Sequence, residues 1–130
     1  MATIATTTTG AVAKTYKVAK FQYNFAAHTG AVGEYLSDFK IPKGAIVTRC
    51  IGNAVDAFTS GGSATVALSL EGSASIALKS ATAFDDAAFV GTDAHYSTPV
   101  VVATDSQIQL AVAAAALTAG IYDVYVEYVY

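Results

Sequence analysis

The sequence consists of short runs in which apolar and polar residues alternate, and a new run begins about every ten residues. The most regular run is Ile121–Tyr130, where Tyr122, Val124 and Val126 share one parity and the charged Asp123 and Glu127 lie on the other. Alternation with period two places successive side chains on opposite faces of a β-strand. Gly, Asn, Asp and Ser separate the runs, as expected for turns. This pattern predicts an all-β chain of antiparallel strands.

The number of runs indicates the architecture. Eight strand segments with one helical interruption predict an antiparallel β-sandwich of the jelly-roll type. A chain of 130 residues is long enough for one core, so residues 14–130 are expected to form a single domain. The predicted strands cover Lys14–Phe25, Glu34–Ile41, Ala45–Phe58, residues 64–70, residues 74–79, Tyr96–Ala103, Ser106–Ala113 and Ile121–Tyr130.

Three strands contain irregular positions. In the first run the apolar parity changes between Val18 and Phe21, which predicts a bulge or bend near Ala19–Lys20. Gly52 and Asn53 predict a bulge or kink in the third run. Pro99 has no backbone N–H, so its strand is expected to lie at a sheet edge or to bulge there.

Glycines mark the predicted reversals of the chain. Pro42-Lys43-Gly44 has the residues of a tight turn, and Gly72 is expected to adopt a positive φ between two strands of a hairpin. Leu117–Gly120 is expected to form the turn before the last strand. Residues 81–91 break the alternation; Asp85 and Asp86 near the start and Gly91 at the end predict one helical turn or a compact loop.

The first thirteen residues have a different composition from the rest. Residues 1–13 read MATIATTTTGAVA and contain no charged side chain. We expect a flexible, extended N-terminal arm that becomes ordered on a neighbouring molecule, because it has too little apolar surface to fold alone. Its four consecutive threonines are predicted interface residues, namely Thr6, Thr7, Thr8 and Thr9.

The charges exclude some classes of partner. Only 13% of the residues are charged and the net charge is −3, which argues against nucleic acid, whose partners carry a basic face. Lys14, Lys17 and Lys20 are interpreted as edge-strand charges. No signal peptide and no membrane-spanning run is visible, so a chain folded in the cytoplasm without membrane attachment is expected.

No arrangement of reactive residues predicts catalysis. Cys50 is the only cysteine and lies in an apolar stretch, which is typical of a small buried hydrophobe. His28 and His95 are interpreted as surface loop residues, because no ligand lies at metal-binding spacing beside either. The aspartates match no calcium loop, and no pair of carboxylates, phosphate loop or nucleophile motif is present. We therefore expect a protein that is not an enzyme and has no cofactor or metal.

Tyrosine is the strongest positive signal. Eight tyrosines occur in the chain, and four of them lie in the last nine residues. Tyrosine is enriched at interfaces, where the ring is buried and the hydroxyl stays hydrated. Tyr122 and Tyr128 fit a sheet interior equally well, whereas Tyr125 and Tyr130 are predicted to lie at an interface.

Several segments resemble the small capsid decoration (cement) proteins of tailed bacteriophages. The similar segments are the Thr-rich arm, IPKGAIVTRCIGNAVDAF, GSATVALSLEG and AGIYDVYVEYVY. The resemblance implies a virion structural protein, often a homotrimer, that binds the major capsid protein and stabilises the head after assembly in the host cytoplasm. A receptor- or glycan-binding head-fibre or tail module is the alternative. That alternative requires exposed aromatic rings in loops, whereas the aromatic residues here lie mainly in strands.

Overall fold

The computed structural model describes residues 15–72 and 75–130. These residues form eight strands and two one-turn helices in the order β1 (Tyr16–Asn24), α1 (Phe25–His28), β2 (Gly33–Leu36), β3 (Ile46–Ser60), β4 (Thr65–Glu71), β5 (Ser75–Ala83), α2 (Ala87–Val90), β6 (Gly91–Val101), β7 (Gln107–Ala113) and β8 (Leu117–Val129). The predicted arm, residues 1–13 with Thr6–Thr9, lies outside the described residues.

The strands form two antiparallel sheets of four. The first sheet has the order β1-β8-β3-β6 and the second has the order β2-β7-β4-β5. Strand β1 pairs with β8, β2 with β7, β3 with β6 and β4 with β5. The chain is therefore one long hairpin, paired from its ends to its tip and rolled into two layers. This is the jelly-roll arrangement, and the predicted β-sandwich is confirmed.

Alternation decides which side chains fill the space between the sheets. Tyr122, Val124 and Val126 of β8 are fully buried, as their shared parity predicted. The second sheet contributes the same kind of row, since Ile108 and Leu110 of β7 are also fully buried. The core is thus assembled from the inner rows of both sheets, as in other sandwiches.

The predicted helical turn is confirmed, and a second one is present. The Asp86 side chain caps α2 by accepting a hydrogen bond of 2.7 Å from the Ala88 N–H. This turn places Phe89 against Tyr122, with ring centroids 4.5 Å apart. Helix α1, which the alternation did not predict, begins after Asn24; the side chain of that residue accepts from the Ala26 N–H at 3.0 Å.

The predicted bend in the first strand is wrong. The pairing of β1 with β8 continues without a shift from Tyr16 opposite Val129 to Asn24 opposite Ile121. No bend turns Tyr16 and Val18 toward the core. They point to solvent and are 77% and 59% exposed. Two apolar residues on the outward parity gave a false signal, because apolar side chains are common on protein surfaces.

The predicted bulge at Gly52 is also wrong. Pairing of β3 with β8 is regular from Arg49 to Ala54, and the register shifts lie on either side of that stretch. Gly52 is required for space, because a Cβ there would overlap the Tyr122 ring. The Pro99 prediction is confirmed. Its strand β6 is an edge strand, and its pairing with β3 shifts between Val47 and Arg49.

Two turn predictions need correction and one is confirmed. Residues Leu117–Gly120 belong to β8, and the chain reverses just before them, where Ala114 has a φ of 69°. Gly72 does not adopt a positive φ; a side chain there would meet the Thr104 hydroxyl oxygen instead. The turn after Pro42 is present, with Gly44 at a φ of 87°.

Candidate interaction surface

A row of apolar side chains crosses the outer face of the first sheet at one end. Tyr16 lies opposite Val129, which lies opposite Ile46, which lies opposite Val101. These four residues, one from each strand, are called the apolar row. They are adjacent because the register of three strand pairings brings them side by side, although they are far apart in sequence.

Exposed apolar residues are concentrated at this end of the molecule. Among the described residues, eight large hydrophobic side chains are exposed, and four of them lie in or beside the apolar row. Tyr16 and Val101 belong to the row and are 77% and 54% exposed. Val18 follows Tyr16 on the same face of β1, and Tyr130, which follows Val129, lies at the same end with the opposite parity. Scattered exposed hydrophobics need no explanation, but a contiguous group at one place indicates an interaction site.

Charged residues lie further along the same strands, beside the apolar row. Arg49 donates two hydrogen bonds to the Asp93 carboxylate, at 2.8 and 3.0 Å. The His95 Nε2 lies 3.2 Å from the same carboxylate, and Glu127 lies opposite Arg49 in the sheet. The hydrogen bonds from Arg49 hold the pKa of Asp93 below its usual range. The cluster is solvent-exposed, so it provides polarity and orientation more than folding stability.

The predicted tyrosine sites lie on or beside this face. Tyr125 projects outward from β8 and is partly buried, with the Lys20 ammonium 5.6 Å from its ring centroid. Tyr130 is 44% exposed, and the Lys17 ammonium lies 5.7 Å from its ring. Both lysines lie on β1, an edge strand, as the interpretation of edge charges required, and Lys14 lies outside the described residues. The role of Tyr125 and Tyr130 at an interface stays a prediction.

The outer face of the second sheet is different. The corresponding row across its four strands contains Leu36, Gln109, Ser69 and Ala77. Leu36 is its one large apolar side chain and is 48% exposed. Apart from Leu36, this row has small or neutral polar side chains and offers little apolar surface to a partner.

The candidate reactive residues are placed in structural roles. Cys50 is fully buried, and burial raises the pKa of its thiol to about 12, so it is a poor nucleophile at neutral pH. The loop assignment of the histidines is wrong. His28 ends α1 and stacks on Tyr23 with centroids 5.5 Å apart, and His95 lies on β6.

The remaining features have weaker geometry. An open cleft of about 590 Å³ near Lys43 and Glu71 is lined by charged and polar side chains without an aromatic ring. Across residues 15–72 and 75–130, no three His, Cys, Asp or Glu side chains gather as a metal site would require. No helix in that part of the chain has the length and apolar character to cross a membrane.

Sequence reasoning missed most of the apolar row. Val101 and Ile46 lie at the ends of their strands, and the parity of Tyr16 was explained by a bend that does not exist. The one signal in the sequence was the pair Tyr16 and Val18 on the parity opposite to Phe21. Only the register across all four strands shows that these side chains form one surface.

Comparison with known proteins gives a likeness of fold. No family model and no curated protein matches the sequence. The structure is similar to a chain in the acidic stable capsid structure of Helicobacter pylori bacteriophage KHP30, with a TM-score of 0.68 and 17% sequence identity. The match covers 92% of this chain and 90% of that one, so the two have similar lengths and share the whole fold.

Proposed function

We propose that this protein is a virion structural protein of the capsid decoration type, which binds the outside of a phage head and stabilises it. The observation that carries the proposal is the full-length likeness to a chain of a phage capsid structure. The more specific decoration role is supported by the resemblance of the sequence segments to cement proteins. Capsid-building jelly rolls are common, but the fold alone does not imply a function.

The surface of the molecule supports a role in binding, and we propose that the protein is not an enzyme. The exposed features of the first sheet are an apolar row and a charged cluster around Arg49, which are means of contact. The buried Cys50 thiol is protonated, and its location excludes access by a substrate. Many copies of a modest interface bind strongly to a repeating lattice through avidity.

The proposed partners are the major capsid protein and further copies of this chain, with a homotrimer as the expected form. The apolar row is the contact proposed between copies, because it lies at one end of the sandwich and leaves the rest of the surface for the capsid. The proposed location is the virion, after assembly in the host cytoplasm. No nucleic acid partner is proposed, in keeping with the net charge of −3.

Co-sedimentation with purified empty capsids of the encoding phage tests the function. We expect the protein to pellet with capsids at saturating stoichiometry and to raise the temperature at which the shell dissociates. Binding to host cell-surface polysaccharide without binding to capsids would replace this role with that of a receptor-binding module.

A pair of variants tests the proposed contact between copies. Tyr16→Ser combined with Val101→Ser should weaken self-association about tenfold or more in sedimentation experiments, because both exposed anchors of the apolar row are lost. Leu36→Ser is the matched control, since Leu36 is similarly exposed on the outer face of the second sheet. Equal effects of the two changes would show that copies do not meet through the apolar row.

A further inference from the structure

We infer that residues 1–13 of one copy cover the apolar row of a neighbouring copy, so that copies are joined by exchanged arms. This inference rests on the proposed self-association, but it does not depend on the capsid as partner. It identifies the segment that occupies the row and explains why the row is exposed in a single chain.

The apolar row is too small to hold two copies together by itself. Its four residues include two that are already half-buried, Ile46 and Val129. A standard protein interface buries roughly 800 Å² on each partner, and a whole tyrosine side chain supplies only about 150–250 Å². Two rows in face-to-face contact therefore fall short of a stable dimer. An additional segment of chain has to contribute apolar area.

The arm begins at the apolar row. Thr15 and Tyr130 exchange two backbone hydrogen bonds, with the Thr15 N–H donating at 3.2 Å and the Tyr130 N–H at 3.1 Å. This pairing extends the ladder of β1 and β8 by one step beyond Tyr16. The residues before Thr15 consequently start beside Tyr16, at the end of the first sheet where the row lies.

The length of the arm allows it to reach a neighbouring copy. Thirteen extended residues reach about 43 Å, which is longer than the roughly 30 Å of nine-residue β1. This reach is sufficient to place the arm on an adjacent sandwich whose row faces the same junction.

The composition of the arm suits the row. No side chain from Ala2 to Ala13 is charged, so no charge loses its hydration when the arm covers apolar side chains. Ile4 and Val12 can contribute apolar contacts, and the four threonines between them are β-branched residues that favour an extended chain. Each copy gives one arm and receives one, which adds contact area at every junction.

Disulfide trapping tests this exchange directly. Ile4→Cys in one batch and Val101→Cys in a mass-tagged second batch are mixed and mildly oxidised, and the mixed dimer is measured on a non-reducing gel. Cys50 is fully buried and does not interfere. We expect at least fivefold more mixed dimer than in the control mixture of Ile4→Cys with Leu36→Cys.

Two outcomes would overturn the inference. One is an equal yield of mixed dimer in both mixtures. The other is a chain carrying both Ile4→Cys and Val101→Cys that forms only an intramolecular disulfide when mixed with unlabelled protein, since the arm would then cover its own row.

Deletion of residues 1–13 provides an independent readout. The shortened protein should lose self-association while its melting temperature stays nearly unchanged. Adding Tyr16→Ser and Val101→Ser to the deletion should cause no further loss, because arm and row form the same contact. Unchanged association after the deletion would overturn the inference. Capsid co-sedimentation of the same variant separates the two proposals, because capsid binding retained by monomers leaves the proposed function intact.

Discussion

The two sheets have similar inner faces and different outer faces. On the inside, both present apolar side chains that are nearly inaccessible to water, mainly Val and aromatic residues in the first sheet and Val, Leu and Ile in the second. On the outside, the first sheet has the apolar row and the charged cluster at Arg49, whereas the equivalent row of the second has Leu36 beside Gln, Ser and Ala. The inner faces are both apolar because they pack against each other to form the core. The difference between the outer faces is the reason for placing the proposed contact on the first sheet.

The largest expected effects are on the inner faces, where the sheets should behave alike. Leu110→Ala in the second sheet should cost about 2–5 kcal/mol of unfolding free energy, and Val126→Ala in the first roughly 1–3 kcal/mol, through lost burial and a residual cavity. Urea denaturation measures both. Val55→Ala, at a site that is 53% exposed, is the control and should change little. A neutral Val126→Ala would mean that the inner face of the first sheet is assigned incorrectly.

A glycine substitution tests how closely the first sheet packs. Gly52→Ala should cost about 1–3 kcal/mol, because the added methyl group overlaps the buried Tyr122 ring. Gly61→Ala is the matched control, since nothing lies within 4 Å of its Cβ position and its backbone is unstrained. Thermal unfolding of the two variants provides the comparison, and equal melting temperatures would contradict this packing.

Alkaline pH should destabilise the first sheet. Burial raises the pKa of Tyr23 and of Tyr122 to about 12, above the value of 10.0 for a free phenol. The folded state favours the neutral phenol, so this stability is fully present below pH 10 and is lost as the pH rises through about 12. Absorbance at alkaline pH should show the buried phenols ionising together with unfolding. Ionisation of all eight tyrosines near pH 10 without unfolding would contradict the burial.

The smallest effect on folding is expected at the outer face. Tyr125→Ala should change the unfolding free energy by less than about 1 kcal/mol, because its ring is partly exposed and its contact with Lys20 lies at the surface. It should nevertheless reduce self-association or docking, as an interface residue would. Gln109→Ala on the second sheet is the control and should affect neither. If Tyr125→Ala prevented folding and no surface substitution affected association, the outer face of the first sheet would be a structural surface and not an interface.

Prediction from the sequence succeeded where one strand contains all the relevant information. The alternation in β8 assigned Tyr122, Val124 and Val126 to the core, and the aspartates near the start of residues 81–91 with Gly91 at the end indicated the helical turn. Prediction failed where the cause lies on another strand. Gly52 is a glycine because of Tyr122, seventy residues away, and Gly72 because of Thr104.

The sequence by itself determined the fold class, because a period of two can bury one face of a strand and not both. It also determined the inward residues of the regular strands and the scarcity of charge. The tertiary structure decided which strands are neighbours and in what register. That information creates the apolar row, because Tyr16, Ile46, Val101 and Val129 become a surface only when three pairings align them. Pairing between distant strands depends on the packing of the whole chain, and no local pattern specifies it.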